Sequence, residues 1–325
     1  MHTLTGMASM QLTTRMAEDA ADHAAFITGW QQDYAQLSCG RYQGRLDELC
    51  LPRLQLFREF SSCETWQHCQ AWPGAVWFGI PRPGSGGQLR YCGRSVPEYT
   101  VLLSPGGSDF TLRTPPAFLI YGMVLPLALL DLHAQLLTGH DAPASWRHSG
   151  MLTLPATAYA QLCHTLDSIL DTPAASAAPS RLGQASITAL IQALLQAQGG
   201  GQVGRSSIQQ RHLDWVSAAC ALAASPADVL PTVDELCARL HVTRRTLQNG
   251  FQDVVATSPL QWLRALRLHH VRQVLRSAPH DKTPINDLAA AWGFASPSHF
   301  SYDYRRQFDE TPSQTRLLAW QGRGS

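Results

Sequence analysis

Apolar residues recur along this chain in two rhythms. Between residues 43 and 125 they come as short runs separated by Pro and Gly: LQLFREF (54–60), AVWFGI (75–80), QLRYCG (88–93), YTVLL (99–103), DFTLRT (109–114) and FLIYGMVL (118–125). Runs rich in Val, Ile, Tyr and Phe between turn residues predict β-strands. The SPGG segment at 104–107 reads as a turn, Pro setting one dihedral and Gly supplying a positive φ. So many short strands predict a barrel or a sandwich.

The period then lengthens. Residues 126–138, 156–171 and 181–198 are Ala/Leu-rich, and Leu162, Leu166, Ile169 and Leu170 fall on one helical face. GGGQVGRSS (199–207) reads as a linker. Beyond it, helices are expected at 208–224, 232–240, 243–253, 259–277, 284–292, 297–308 and 312–320. Thr232, Thr243, Ser258, Thr283, Ser296 and Thr311 stand where N-caps belong. Pro259, Pro284, Pro297 and Pro312 stand at first helical positions, where a missing N–H costs nothing.

LCARLHVTRRTLQNGF (236–251) predicts one helix, a corner at His241 and a second helix capped by Thr243. Leu247 and Phe251, four apart, share the face that must pack inward. Arg244, Arg245, Gln248, Asn249 and Gln252 take the opposite face. Arg suits the O6/N7 edge of guanine, and Asn or Gln the N6/N7 edge of adenine. This is the helix-turn-helix pattern, whose second helix enters the major groove of double-stranded DNA. The pattern recurs. Gly293 and Phe294 stand 52 positions after His241 and Val242, and Ser296, Phe300 and Tyr304 stand 53 after Thr243, Leu247 and Phe251. Gly suits a left-handed corner, and His is among the residues that tolerate one. Ser296, Ser298, Ser301, Tyr302 and Arg305 form the second candidate contact face.

Between the copies, a helix over 259–277 would span roughly 28 Å at about 1.5 Å per residue. Successive major-groove entries on one side of B-DNA lie about 34 Å apart, so one rigid helix of this length suits a pair of readers. Leu260, Leu263, Leu266, Val271, Val274 and Leu275 form its expected buried seam. Arg264, Arg267, Arg272 and Arg276 are left for phosphates or solvent, with Arg264, Arg267 and Arg276 the phosphate candidates. A helical bundle with a solvated polar face is the competing reading, and the duplicated register argues against it.

Charge adds little. Residues 206–325 carry 13 Lys+Arg against 10 Asp+Glu, and residues 1–205 carry 12 against 14. The cysteines at 39, 50, 63, 69, 92, 163, 220 and 237 form no CxxC pair or zinc-finger spacing, so buried thiols are expected and neither a metal site nor an intrinsic cofactor. No basic n-region followed by an apolar core opens the chain, and AFLIYGMVLPLALL (117–130) is too short and Pro-interrupted for a membrane helix. A cytoplasmic chain without a membrane partner is the expectation.

Residues 210–320 resemble the AraC/XylS family of bacterial transcription regulators. INDLAAAWGFASPSHFSYDYRRQFDETPSQTR (285–316) follows the family signature I-x-x-[IL]-A-x-x-x-G-F, S-x-x-x-F, T-P-S-x-x-R. It departs at Asp309, where Gly is usual, and at Tyr304, where Phe is usual. The resemblance implies a seven-helix DNA-binding domain and activation through contacts to RNA polymerase. ITGWQQDYAQLSCGRYQGRLDEL (27–49), FREF (57–60), WFGIP (77–81) and RRTLQNGF (244–251) look like the ethanolamine-utilisation regulator subgroup. That would imply a response to ethanolamine with adenosylcobalamin. The cobalamin ligand motif D-x-H-x-x-G begins at Asp131 and His133, but Leu136 stands where Gly is required.

The expected architecture is two-domain α+β. Residues 1–198 would be a β-barrel, cupin-like effector-sensing domain with helices, 199–207 the linker, and 208–325 an all-α DNA-binding domain with two helix-turn-helix motifs. Helices 156–171 and 181–198 are candidates for a homodimer interface, packing on their own barrel being the alternative. Glu59 or Glu64 would hold a cationic small-molecule effector beside Trp72 and Trp77, with plain core packing as the competing reading. A regulator of another catabolic or virulence operon, with a different effector or none, is the alternative function. A barrel enzyme is disfavoured and no catalytic residue is expected, since His68 is the sole histidine between 43 and 125. A methyl-acceptor repair protein would need a four-cysteine zinc site that these spacings do not supply.

Overall fold

The computed structural model describes residues 11–51, 53–84, 89–172, 179–197, 207–224, 230–278 and 282–321. The expected linker at 199–207 lies outside them except for Ser207. The N-terminal part contains strands β1 (Gln11–Ala17), β2 (Gln31–Gln36), β3 (Gly44–Leu51), β4 (Leu54–Ser61), β5 (Thr65–Gln70), β6 (Ala75–Pro81), β7 (Arg90–Tyr91), β8 (Arg94–Ser95), β9 (Thr100–Pro105), β10 (Asp109–Thr114), β11 (Phe118–Pro126) and β12 (Gly150–Thr153). Helix α1 (Ala20–Ala24) follows β1, and α2 (Leu127–Thr138), α3 (Ala156–Leu170) and α4 (Pro179–Leu194) close the domain.

These strands form two separate ladders. One runs β1-β3-β4-β11-β6-β9-β12 and the other β2-β5-β10-β7-β8. Each described ladder keeps two edge strands, so the expected closed barrel gives way to an open sandwich. Alternation along the strands assigns the two faces. Phe57, Trp77, Leu102, Ile120 and Val124 point between the sheets, where Trp77 stacks on Phe110 at 4.3 Å. Gly122 makes this core possible, because a Cβ there would lie 2.0 Å from the Phe57 ring. Leu56, Val76, Phe78, Ile80, Val101, Tyr121 and Met123 point the other way. Helices α3 and α4 cover that face with Leu162, Leu166, Ile169, Leu190, Ile191 and Leu194. The apolar faces of the two proposed dimer helices are thus taken up by their own sheet.

The C-terminal part is all helix: α5 (Ser207–Ala224), α6 (Val233–Leu240), α7 (Arg244–Val254), α8 (Pro259–Ser277), α9 (Ile285–Ala291), α10 (Pro297–Phe308) and α11 (Pro312–Gln321). Thr232 caps α6 in a reciprocal capping box with Glu235, and Thr243, Ser258 and Ser296 cap α7, α8 and α10. Thr311 accepts from the Gln314 N–H at 3.3 Å. At α9 the cap position falls on Pro284, one residue after Thr283, and Pro284 supplies no side-chain bond. Helix α8 runs through two cores. Trp262, Leu263 and Leu266 join Leu236, Leu247 and Phe251, while Leu268, Val271 and Leu275 join Phe300, Tyr304 and Phe308. Leu260, expected in the seam, is 63% exposed, and Trp262 occupies the buried position instead.

The two domains are docked. Ala35 and Trp66, on the outer face of the small sheet, share a core with α5, α7 and α8. Around it, Asp19 accepts from Arg272 Nε at 2.6 Å and pairs with Arg276 at 3.1 Å. The Gln307 amide donates to the carbonyl of Gln36 at 2.9 Å, and the Gly40 N–H donates to the carbonyl of Gln307 at 3.0 Å.

Candidate nucleic-acid interface

Each reading helix starts at a sharp corner. His241 adopts φ 53° and ψ 42°, and Gly293 φ 85°, so both corners take the left-handed conformation that the sequence register implies. Asp309, the departure from the usual Gly after α10, is also left-handed at φ 57° and serves as the C-cap of that helix. Asp is one of the few residues with a side chain that visit this region readily, so the turn survives the change.

Packing then selects which face looks out. Leu247 and Phe251 of α7 and Phe300 and Tyr304 of α10 are fully buried. The Tyr304 hydroxyl finds Thr315 at 2.8 Å, which accommodates a Tyr where Phe is usual. On α7, Thr243, Arg244, Arg245, Gln248, Asn249 and Gln252 are exposed. On α10, Ser298, Ser301, Tyr302 and Arg305 are exposed and Ser296 is half-buried. Arg245, Gln248, Asn249 and Gln252 follow i, i+3, i+4, i+7, one continuous stripe. Ser298, Ser301, Tyr302 and Arg305 repeat the spacing. Exposed Arg306 lies over the Tyr302 ring at 5.9 Å and widens the second stripe, a residue that the sequence reading passed over.

Arg244 differs from its neighbour. Its Nε donates to Asp234 of α6 at 2.6 Å, bridging the corner. That pair braces the motif, whereas Arg245 continues the stripe.

The arginines of α8 are placed against protein. Arg264 pairs with the buried Asp303 of α10. Arg267 donates to the Pro231 carbonyl at 3.2 Å and lies 3.6 Å from where a Gly293 Cβ would sit. Arg276 pairs with Asp22 and Asp19 of the N-terminal domain, and Arg272 is 7% exposed. Arg264 and Arg267 tie the spacer helix to the motifs, and Arg272 and Arg276 tie it to the sandwich. The expectation for this set was phosphates or solvent, and in the structure each of the four has a protein partner. The local helical period showed a polar edge, and the Asp partners come from residues far away in the chain.

The four proposed effector residues all lie in the sandwich domain, and Trp72 packs against the same core as Trp77. Glu64 pairs with Arg113. Trp72 donates to Gln55 at 3.2 Å, and Trp77 is a sandwich-core residue at 2% exposure. Glu59 is buried, with His23 Nε2 at 3.5 Å. His133, half of the incomplete cobalamin motif, lies on α2, where Asp131 pairs with Arg147 at 2.6 Å.

A family model described as a helix-turn-helix domain matches residues 236–317, the segment from α6 into α11. The C-terminal domain is an AraC-type helix-turn-helix DNA-binding domain. Its relatives include the regulatory protein HrpB of Ralstonia nicotianae, 38% identical over 84 residues, which are 26% of this chain and 18% of that protein. They also include the HTH-type transcriptional regulator CdhR of Pseudomonas aeruginosa, 39% identical over 87 residues, 27% of this chain and 25% of that one. The chain thus spans a quarter or less of the length of these relatives. Among solved structures, an AraC-type DNA-binding domain protein from Chromobacterium violaceum is 28% identical, with 34% of this chain and 97% of that chain covered and a TM-score of 0.31. The AraC-like activator CuxR aligns over 77% of this chain and 86% of its own at 13% identity, TM-score 0.36. Among the described residues no helix is long and apolar enough to cross a membrane.

Proposed function

We propose that this chain is a sequence-specific transcriptional regulator that lays α7 and α10 of its AraC-type domain in successive major grooves of a promoter. The observation that carries this is the pair of exposed polar stripes, each opposite a buried Leu/Phe or Phe/Tyr pair, on helices whose cores share α8. A bundle without a DNA role has no need to repeat that arrangement. The docked sandwich supports a regulated activator that contacts RNA polymerase and answers to a small molecule. Other relatives are named as a thc operon regulatory protein and a virulence regulon activator, so ethanolamine and adenosylcobalamin rest on the subgroup resemblance.

Chromatin immunoprecipitation with sequencing names the bound promoters, and footprinting of the full chain on one of them tests the geometry. Two protected major-groove patches about 10 bp apart are expected. A single patch, or indifference to duplex sequence, overturns the two-reader model. Arg245→Ala is expected to cost about 1–3 kcal/mol of specific binding, concentrated at one base pair. An unchanged preference among operator variants removes Arg245 from base reading.

A further inference from the structure

Between the sandwich and the AraC-type domain lies a cleft of about 570 Å³, within the size range of small-molecule sites. Its sheet wall is the outer face of the small ladder. Asp33, His68 and Thr111 stand in register across β2, β5 and β10, beside the in-register pair Ala35 and Trp66. Its helical wall is Leu213 and Ser217 of α5 with Trp262, Leu266 and His270 of α8.

Three features describe what fits there. The charge is one-sided: Asp33 and Asp109 line the cleft, and no Lys or Arg does among the described residues. Arg113, the register neighbour of Trp66, is committed to Glu64. The deeper lining is apolar and aromatic, with Trp66 at 4% and Trp262 at 2% exposure. Two polar atoms on lining residues, Trp262 Nε1 and Thr111 Oγ1, are buried without a partner among the described residues. A buried indole N–H ordinarily finds an acceptor, and leaving one unmade is costly. Carboxylates beside aromatic faces suit an organic cation, by charge and by cation–π attraction.

We propose that this inter-domain cleft binds an organic cation, an ammonium group on an apolar body, and that occupancy is felt at the DNA because both domains form the walls. The second half of this rests on the regulator reading; the first half does not. Asp33 and Asp109 hold the charge, and Trp66 and Trp262 hold the body.

The test is titration calorimetry on the full chain with three probes of one shape: phenethylamine, neutral 2-phenylethanol and anionic 3-phenylpropanoate. Phenethylamine is expected to bind about tenfold or more tighter than either analogue. The double variant D33N/D109N is expected to lose about tenfold for phenethylamine only, and Ser217→Trp, which fills the mouth from an exposed helical position, to abolish binding. Equal binding of the neutral analogue overturns the charge assignment. Undiminished binding by S217W, or none of phenethylamine at millimolar concentration, overturns the site. Operator affinity, measured separately by mobility shift, is expected to change about fivefold with saturating phenethylamine. No change overturns the coupling, and failure to bind DNA at all sinks the regulator reading while leaving the cleft result standing.

Discussion

Arg272→Ala is expected to destabilise the chain by about 3–5 kcal/mol, because it strands charges that the fold has buried. Arg272 is 7% exposed and holds Asp19, itself 3% exposed, together with Glu310, while its guanidinium lies 4.6 Å from the centre of the Phe308 ring. Asp19 is also the N-cap of α1, accepting from the Ala21 N–H at 2.9 Å, so the loss reaches the N-terminal domain. Denaturant melts followed by fluorescence are expected to split into two transitions as the domains uncouple. A loss below about 1 kcal/mol in one unchanged transition would show that the network is a surface ornament. The double variant D19N/R272M, which retains a capping acceptor and removes the buried Asp19 charge, is expected to recover part of the loss. Burial raises the Asp19 pKa, but His269, Arg272, Arg276 and the Ala21 N–H outweigh it and leave it below the ordinary 3.8. Its contribution is therefore full above pH 3.8 and disappears as pH falls through the lower folded value. Domain docking should hold at pH 5 and fail only in strong acid.

Glu59→Gln is expected to gain stability relative to the wild type as pH rises from 5 to 8, leaving the opposite His23 slope exposed in the variant. Burial pushes the Glu59 carboxyl up to about 7 from 4.5, with the Tyr34 hydroxyl opposing weakly. A raised carboxyl favours the protonated fold, so stability falls as pH climbs from 4.5 through 7, by about 3 kcal/mol. His23, held at 2.6 Å from the Tyr42 hydroxyl, is pushed down to about 4, chiefly by burial. It acts with the opposite sign: its neutral form is favoured, and stability falls as pH drops below 6.5 towards 4. Wild type should therefore lose about 3 kcal/mol relative to Glu59→Gln between pH 5 and pH 8, read from urea melts at several pH values. If the variant keeps the wild-type slope, another group is responsible.

Much of the DNA-binding domain could be read from the residues, because its signals are local. The bounds of α8 and α10 match the predicted 259–277 and 297–308, since Ser-Pro marks each start and an apolar stripe of period 3.6 marks each length. The sandwich was harder. Strands β1 and β2 passed unnoticed, and β3 lay in the strand-rich region without a run of its own to mark it. In β3, Asp47 and Glu48 disguise a buried strand as polar. They are 2% and 1% exposed because Arg45, Arg58 and Thr14 surround the first, and Thr28, Gln55 and Arg15 the second. No periodicity shows such partners in advance.

By itself the sequence determined the two corners, the caps and the outward stripes of α7 and α10, since each depends on residues within one or two helical turns. Only the tertiary structure decided that the sheets stay open, that Glu59 and Trp77 belong to the interior, and that Arg272 and Arg276 face Asp19. The reason is range. A helix and its cap are settled by neighbours, whereas a charge pair across 253 positions exists only once two finished domains have met.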